Sequence, residues 1–336
     1  MSFRRRALIG AAAGIPLLAC ASPGEDLLGV VALPERSLAY TPLIAAVKSG
    51  LYQASPRRVA VTQQSGGRRV ADAVTEGFAD AGALSLPDFL AAVAKGAPLV
   101  AIGALTKRHA SQLVVSTSLP VAERSLAAVL DGTRKDVRVG VETGGDGTAS
   151  FAHSLVLGSS LSRSQEPQWI AFPTSEALVA ALADNRVEAY FGRPYATAHS
   201  ASLGNVVIAE NFAAGERFEP QARAFSTVVV TRRDRAPNDD RVHHLLSLLM
   251  PACARAATVL SSDAGPDLAV ALLPDRDGLA LRMATRLAAP SPATSCFAQD
   301  AQLSIEAAEA YLELAALAGT PLNVDVRTLV LDRYSG

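Results

Sequence analysis

Apolar residues along this chain fall into two alternating kinds of run. Short continuous runs read as buried strands: Leu27–Leu33, Arg58–Gln63, "FADAGAL" at 78–84 and "PLVAIGAL" at 98–105. Between them lie longer stretches with turn residues at their ends. Pro42–Leu51 is predicted as a helix with Pro42 at its start and Gly50 near its end; "SGG" at 65–67 opens another over Arg69–Glu76, and "PDFLAAVAKG" forms a third. This β-α-β-α-β order predicts a parallel sheet covered by helices.

A second series follows. "QLVVST" is a strand, Ala122–Asp131 a helix and "DVRVGVE" at 136–142 another strand. The loop "TGGDGT" at 143–148 leads into the helix "ASFAHSLVLG", then come the strand "EPQWIAF", the capped helix "TSEALVAALADNR" and the strand "VEAYFG". "NVVIAEN" and "FSTVVVTR" supply further strands, and from Asp239 the pattern is mostly helical. The two series join near 105–120 and again near 215–228. A chain that leaves one lobe, builds a second and returns makes two hinge strands, with a cleft between the lobes. The fold class expected is α/β: a two-lobed clamp of two parallel-rich sheets. Its organisation is a signal segment at 1–20, lobe one at 21–115, lobe two at 116–222, and a return to lobe one with C-terminal helices at 223–336.

The first 22 residues, "MSFRRRALIGAAAGIPLLACAS", change the picture. Arg4, Arg5 and Arg6 precede an uncharged run from Ala7 to Ala19. At 1.5 Å per residue that run reaches about 20 Å, short of the roughly 30 Å of a bilayer core. A basic start, a short apolar middle and a small-residue exit form a secretory signal. Leu17-Leu18-Ala19-Cys20 resembles a bacterial lipobox, which would make Cys20 the lipid-bearing first residue of the exported chain. Arg5-Arg6 resembles a twin-arginine export signal, so both Sec and Tat routes stay open. The location expected is the periplasm or cell envelope, with the chain anchored as a lipoprotein.

The remaining chain has a little over 310 residues, and 49% of the whole sequence is apolar, enough for substantial cores. Losing the three arginines takes the formal charge from −1 to −4. No basic stripe interleaved with aromatics exists, which argues against nucleic acid. Besides Cys20 there are Cys253 and Cys296: a disulfide between them is one reading, two buried free thiols the other. The five histidines show no metal-ligand spacing, no G-x-S-x-G elbow is present, and neither a metal, a cofactor nor a catalytic residue is assigned.

Several stretches, taken in order, carry a resemblance: "PLIAAVKSGLYQ", "SGGRRVADAVTEGFADAGALS", "AVAKGAPLVAIGAL", "VRVGVETGGDGTAS", "LVAALADNRVEAYFG" and "LSIEAAEAYLELAALAGTPLNVDVRTLV". The sequence resembles the periplasmic solute-binding proteins of ABC importers, in the nitrate, sulfonate and thiamine-pyrimidine branch. The resemblance implies a closing clamp, a monomer, that hands one small molecule to a membrane permease with its ATPase. Two alternatives remain: an enzyme of the same bilobed fold, similar to a thiamine-pyrimidine synthase, and a sensory or TRAP-type receptor lipoprotein.

Candidate ligand-binding residues follow from the loops at strand ends. Thr143, Gly144, Gly145, Asp146 and Thr148 follow a strand and open a helix, where free N–H groups favour an anion or a carbonyl. The loop fails as a phosphate-binding loop, because Asp146 stands where the pattern counted from Gly140 needs Lys. The bland reading is a tight turn capped by Thr148. Ser65 and Gly66 form a similar turn in lobe one, and Ser85 ends a strand. The resemblance places these, with Ser37, Tyr40 and Thr41, along the cleft; helix capping is the rival role for each serine. In "AYFGRPYA", Arg193 offers a planar fork for a carboxylate or sulfonate, and Phe191 or Tyr195 a face for a flat ligand. Many relatives carry an acid beside this proline, so Arg193 leans the expectation toward an anion. A paired surface arginine is its plainer reading.

Overall fold

The computed structural model describes residues 27–48, 58–130, 137–143, 147–157, 167–214, 219–331 and 334. Along them run β1 (Leu27–Leu33), β2 (Arg58–Gln63), β3 (Ala81–Ser85), β4 (Leu99–Thr106), β5 (Gln112–Ser116), β6 (Arg138–Glu142), β7 (Gln168–Phe172), β8 (Ala189–Gly192), β9 (Val206–Asn211) and β10 (Thr227–Arg232). They form two five-stranded sheets, ordered β2-β1-β3-β10-β4 and β7-β6-β8-β5-β9. The continuous apolar runs are the central strands: every residue of β3, β4 and β5 is buried, whereas β2, at an edge, alternates and shows Val61 to solvent.

The sheets are mixed rather than parallel throughout. β1 pairs in parallel with β2 and β3, and β6 with β7 and β8. β10 runs antiparallel to both β3 and β4, and β5 antiparallel to both β8 and β9. The two reversed strands are the first that each lobe receives from the other, so the reversal follows from the direction of entry. The crossing segments also pair with each other: His109 N–H donates to Ala222 O at 2.7 Å, and Phe212 N–H to Ser111 O at 3.1 Å.

Differences from the sequence pattern have local causes. The strand expected at 78–84 begins at Ala81, because Asp80 is held by the Val30 N–H, Arg235 and Arg241 while Phe78 is 74% exposed. The helix expected over Ala122–Asp131 is a short 3-10 turn, Val121–Glu123, followed by Leu126–Leu130, with Ser125 accepting from Ala128 N–H. A helix over Pro194–Ser202 was not legible: its small and polar residues carry no apolar stripe, though Pro194 stands at its first position.

Helices Asp240–Leu260, Gly265–Leu272, Gly278–Ala288 and Ile305–Leu317 make up the C-terminal part. Gly278–Ala288 packs on Pro194–Ser202, and Ile305–Leu317 reaches Thr148–Leu157, so this part touches both sheets. Among the described residues no single helix is long and apolar enough to cross a membrane. Cys253 and Cys296 are both free, which corrects the disulfide reading. Each is buried in a different apolar cluster, Cys253 with Leu249 and Met250, Cys296 with Phe297 and Ala288.

Candidate functional site

The segments after β1, β4 and β8 converge between the sheets and wall a cleft. One chamber of it, with a cavity volume of about 60 Å³, is walled mainly by apolar side chains, among them Leu38, Tyr195, Phe225, Leu281 and Phe297. Five basic side chains reach this wall: Arg36, Arg108, His109, Arg193 and Arg276. The described residues that line the chamber include no Asp or Glu. Arg108 and His109 lie deepest, only 8% and 6% exposed, in the segment crossing from β4 to β5. His109 stacks at a tilt on Phe151, ring centroids 4.9 Å apart, and its Nε2 lies 3.3 Å from Thr148 Oγ1. At the rim Arg36 bonds Leu272 O at 3.1 Å, while Arg276 meets Glu176 at 3.1 Å and lies 5.2 Å over the Tyr195 ring. Ser37 Oγ is buried against this chamber with no hydrogen-bond partner.

Arg193 stands at the start of helix Pro194–Ser202 and is committed to the protein itself. Its Nε donates to Glu142 Oε2 at 3.1 Å, its Nη2 bonds Glu142 Oε1, and its Nη1 reaches across to Glu35 in the loop after β1. Ser175 Oγ donates to the same Glu142 at 2.9 Å. Glu142, only 1% exposed, is thereby satisfied as a buried carboxylate must be. The anion clamp expected of Arg193 is therefore already filled by carboxylates of this chain.

A second chamber lies where helices Gly67–Thr75, Leu86–Ala94 and Thr148–Leu157 begin, lined by Gly66, Ser85, Asp88, Thr143 and Thr148. Gly66 adopts φ +95°, a region natural to glycine, and lets the chain turn into its helix. A Cβ on Gly67 would lie 2.1 Å from Asp88 Oδ2, so the Asp88 carboxylate covers that helix start. Ser85 is a helix cap: its Oγ accepts from Asp88 N–H at 3.2 Å and donates to Asp88 Oδ2 at 2.7 Å.

The sequence-named residues therefore divide. Ser37, Arg193 and Tyr195 reach the apolar chamber, and Gly66, Ser85, Thr143 and Thr148 the second one. Tyr40, in the 3-10 turn Leu38–Tyr40, and Phe191, in β8, are fully buried core aromatics packed among apolar neighbours; Phe191 stacks on Phe212 with centroids 6.0 Å apart. Thr41 is buried and bonds Ser37 O at 3.2 Å, while Ser65 points to solvent. Cys20, Gly144, Gly145 and Asp146 lie outside the described residues. Sequence reasoning missed Arg36, Arg108, His109 and Arg276. The adjacent basic residues at 107–109, in a segment already expected to be a hinge, were the one available signal.

Cys296 also lines the apolar chamber. Burial pushes its thiol up to about 12 against the opposing pull of Arg108 and Lys107, so at neutral pH it is a thiol and not the nucleophilic thiolate. Among the described residues no group of three His, Cys, Asp or Glu side chains is arranged to hold a metal ion.

Solved structures decide the architecture. The periplasmic sulfonate-binding protein SsuA of Methylobacillus flagellatus KT superposes with a TM-score of 0.67 at 14% identity, over 93% of each chain. The alkanesulfonate-binding SsuA of Xanthomonas axonopodis pv. citri, bound to MOPS, gives 0.65 at 18% identity over 90% of this chain and 97% of that one. This chain has the periplasmic-binding-protein fold. The aliphatic sulphonate-binding SsuA of Escherichia coli shares it too, with a TM-score of 0.64, 16% identity and coverage of 89% and 96%. By sequence, residues 37–125 of the clamp match the NMT1/THI5-like family model. No curated protein sequence matches the chain.

Proposed function

We propose that this protein is the extracytoplasmic solute-binding component of an ABC-type importer, anchored through lipid on Cys20, and that it captures a small organic anion with an apolar body. The lobes would divide near residues 115 and 222, and a monomer would deliver its cargo to a permease. The observation that carries the reading is the apolar chamber: buried Arg108 and His109 and the unpartnered Ser37 hydroxyl stand at an otherwise hydrophobic wall. An anionic headgroup meets charge-assisted donors there, while its carbon body displaces water from Phe225, Phe297 and Leu38. The second chamber suits a bare oxyanion such as nitrate less well, because Asp88 covers one helix start and Glu142 lines the wall. Similarity to proteins described as sulfonate-binding agrees with this chemistry.

The test is a thermal-shift screen against alkyl and aryl sulfonates, aromatic carboxylates, nitrate, pyrimidines and riboflavin, with turnover assayed alongside. A ligand at 100 times its Kd adds about 2.7 kcal/mol, which appears as several degrees. The expected result is a hit among the organic anions without turnover, weakened about 10- to 100-fold by Arg108→Gln. A response to nitrate alone, or conversion of any compound, refutes the assignment.

A further inference from the structure

We propose that Glu35 is a latch: by gripping Arg193 across the cleft it holds the two lobes closed before any ligand arrives. Glu35 follows β1 in one sheet, and Arg193 follows β8 in the other, 158 residues away. Glu142 and Glu35, both bonded to Arg193, differ in kind. Glu142 belongs to the same lobe, takes two donors of the guanidinium, is further fixed by Ser175 and is almost wholly buried. Glu35 lies in the opposite lobe and keeps 23% of its side chain exposed.

That asymmetry makes the contact reversible. When the lobes part, Arg193 stays on Glu142, so no buried carboxylate is stranded, and Glu35 rehydrates from a position already near solvent. In the closed form Arg193 is 17% exposed, so the bond to Glu35 is charge-assisted and sheltered from salt screening. A second ion pair between the lobes among the described residues, Arg276–Glu176, has side chains 39% and 56% exposed, where such pairs contribute little. Of these two ion pairs, the one through Glu35 is therefore the firmer hold between the lobes.

Small-angle X-ray scattering of the ligand-free protein tests this. Wild type is expected to scatter as the compact closed form. Glu35→Gln should shift to a larger radius of gyration, its closed-to-open ratio falling about tenfold, while Arg276→Gln scatters as wild type does. Glu35→Asp, which keeps the charge but withdraws the carboxylate, should expand likewise and serves if Glu35→Gln fails to fold. Glu35 variants that superpose on wild type, a wild type already extended, or an Arg276→Gln variant that opens equally would each overturn the latch.

Discussion

Asp80 shows how much one side chain can organise in this fold. Its carboxylate accepts from the Val30 N–H at 2.9 Å and from Arg235 and Arg241, at 3.2 and 3.1 Å, while its own carbonyl takes the Thr231 hydroxyl at 2.7 Å. It thus ties β1 and β10 to the start of the helix Asp240–Leu260. Asp80→Asn leaves two arginines without their buried counter-charge and should cost about 3 kcal/mol, read from urea unfolding midpoints. The two thiols make a prediction about pH. Burial raises both Cys253 and Cys296, the latter to about 12, so the folded chain keeps protons that the unfolded chain releases from about pH 8.5 upward. Stability from these groups is full below pH 8.5 and declines as pH climbs toward 12; a Cys296→Ala variant should lose stability less steeply over that window, followed by thermal unfolding at graded pH. A slope equal to wild type would show that the thiol does not titrate as its burial requires.

At the scale of elements, sheet and helix approach through glycine. Gly82 in β3 leaves no room for a Cβ, which would meet Val70 Cγ1 at 2.6 Å and Val74 Cγ2 at 2.9 Å; Gly140 in β6 stands in the same relation to Leu178 at 2.6 Å. Both lobes thus seat a helix directly on a central strand by omitting a methyl group. Gly82→Ala should lower stability by about 1–3 kcal/mol through overpacking, measurable as a fall in Tm without loss of helical signal. Elements of this kind were legible in the sequence, since continuous apolar runs gave β1, β4 and β5 to within a residue or two. What pattern could not give was pairing direction, because periodicity is identical in parallel and antiparallel strands. It also missed Pro194–Ser202, whose burial comes from small side chains packed on Gly278–Ala288.

For the whole molecule, the site was legible only in part, and for a physical reason. Ser37 and Tyr195 sit at strand or helix ends, where local signals point. Arg36, Arg108, His109 and Arg276 come together only after a chain of more than 200 residues has crossed twice between lobes, and nothing near them in sequence foretells it. The same crossing governs how the protein can be made. β5 to β9 form their sheet from one contiguous stretch, but β10 is a central strand of the other sheet, hydrogen-bonded to β3 on one side and β4 on the other. Until residue 232 has emerged during synthesis or translocation, β3 and β4 present two unpaired edges with no strand between them. The lobe that begins first must therefore finish last, and it waits on the middle of the chain in an aggregation-exposed state.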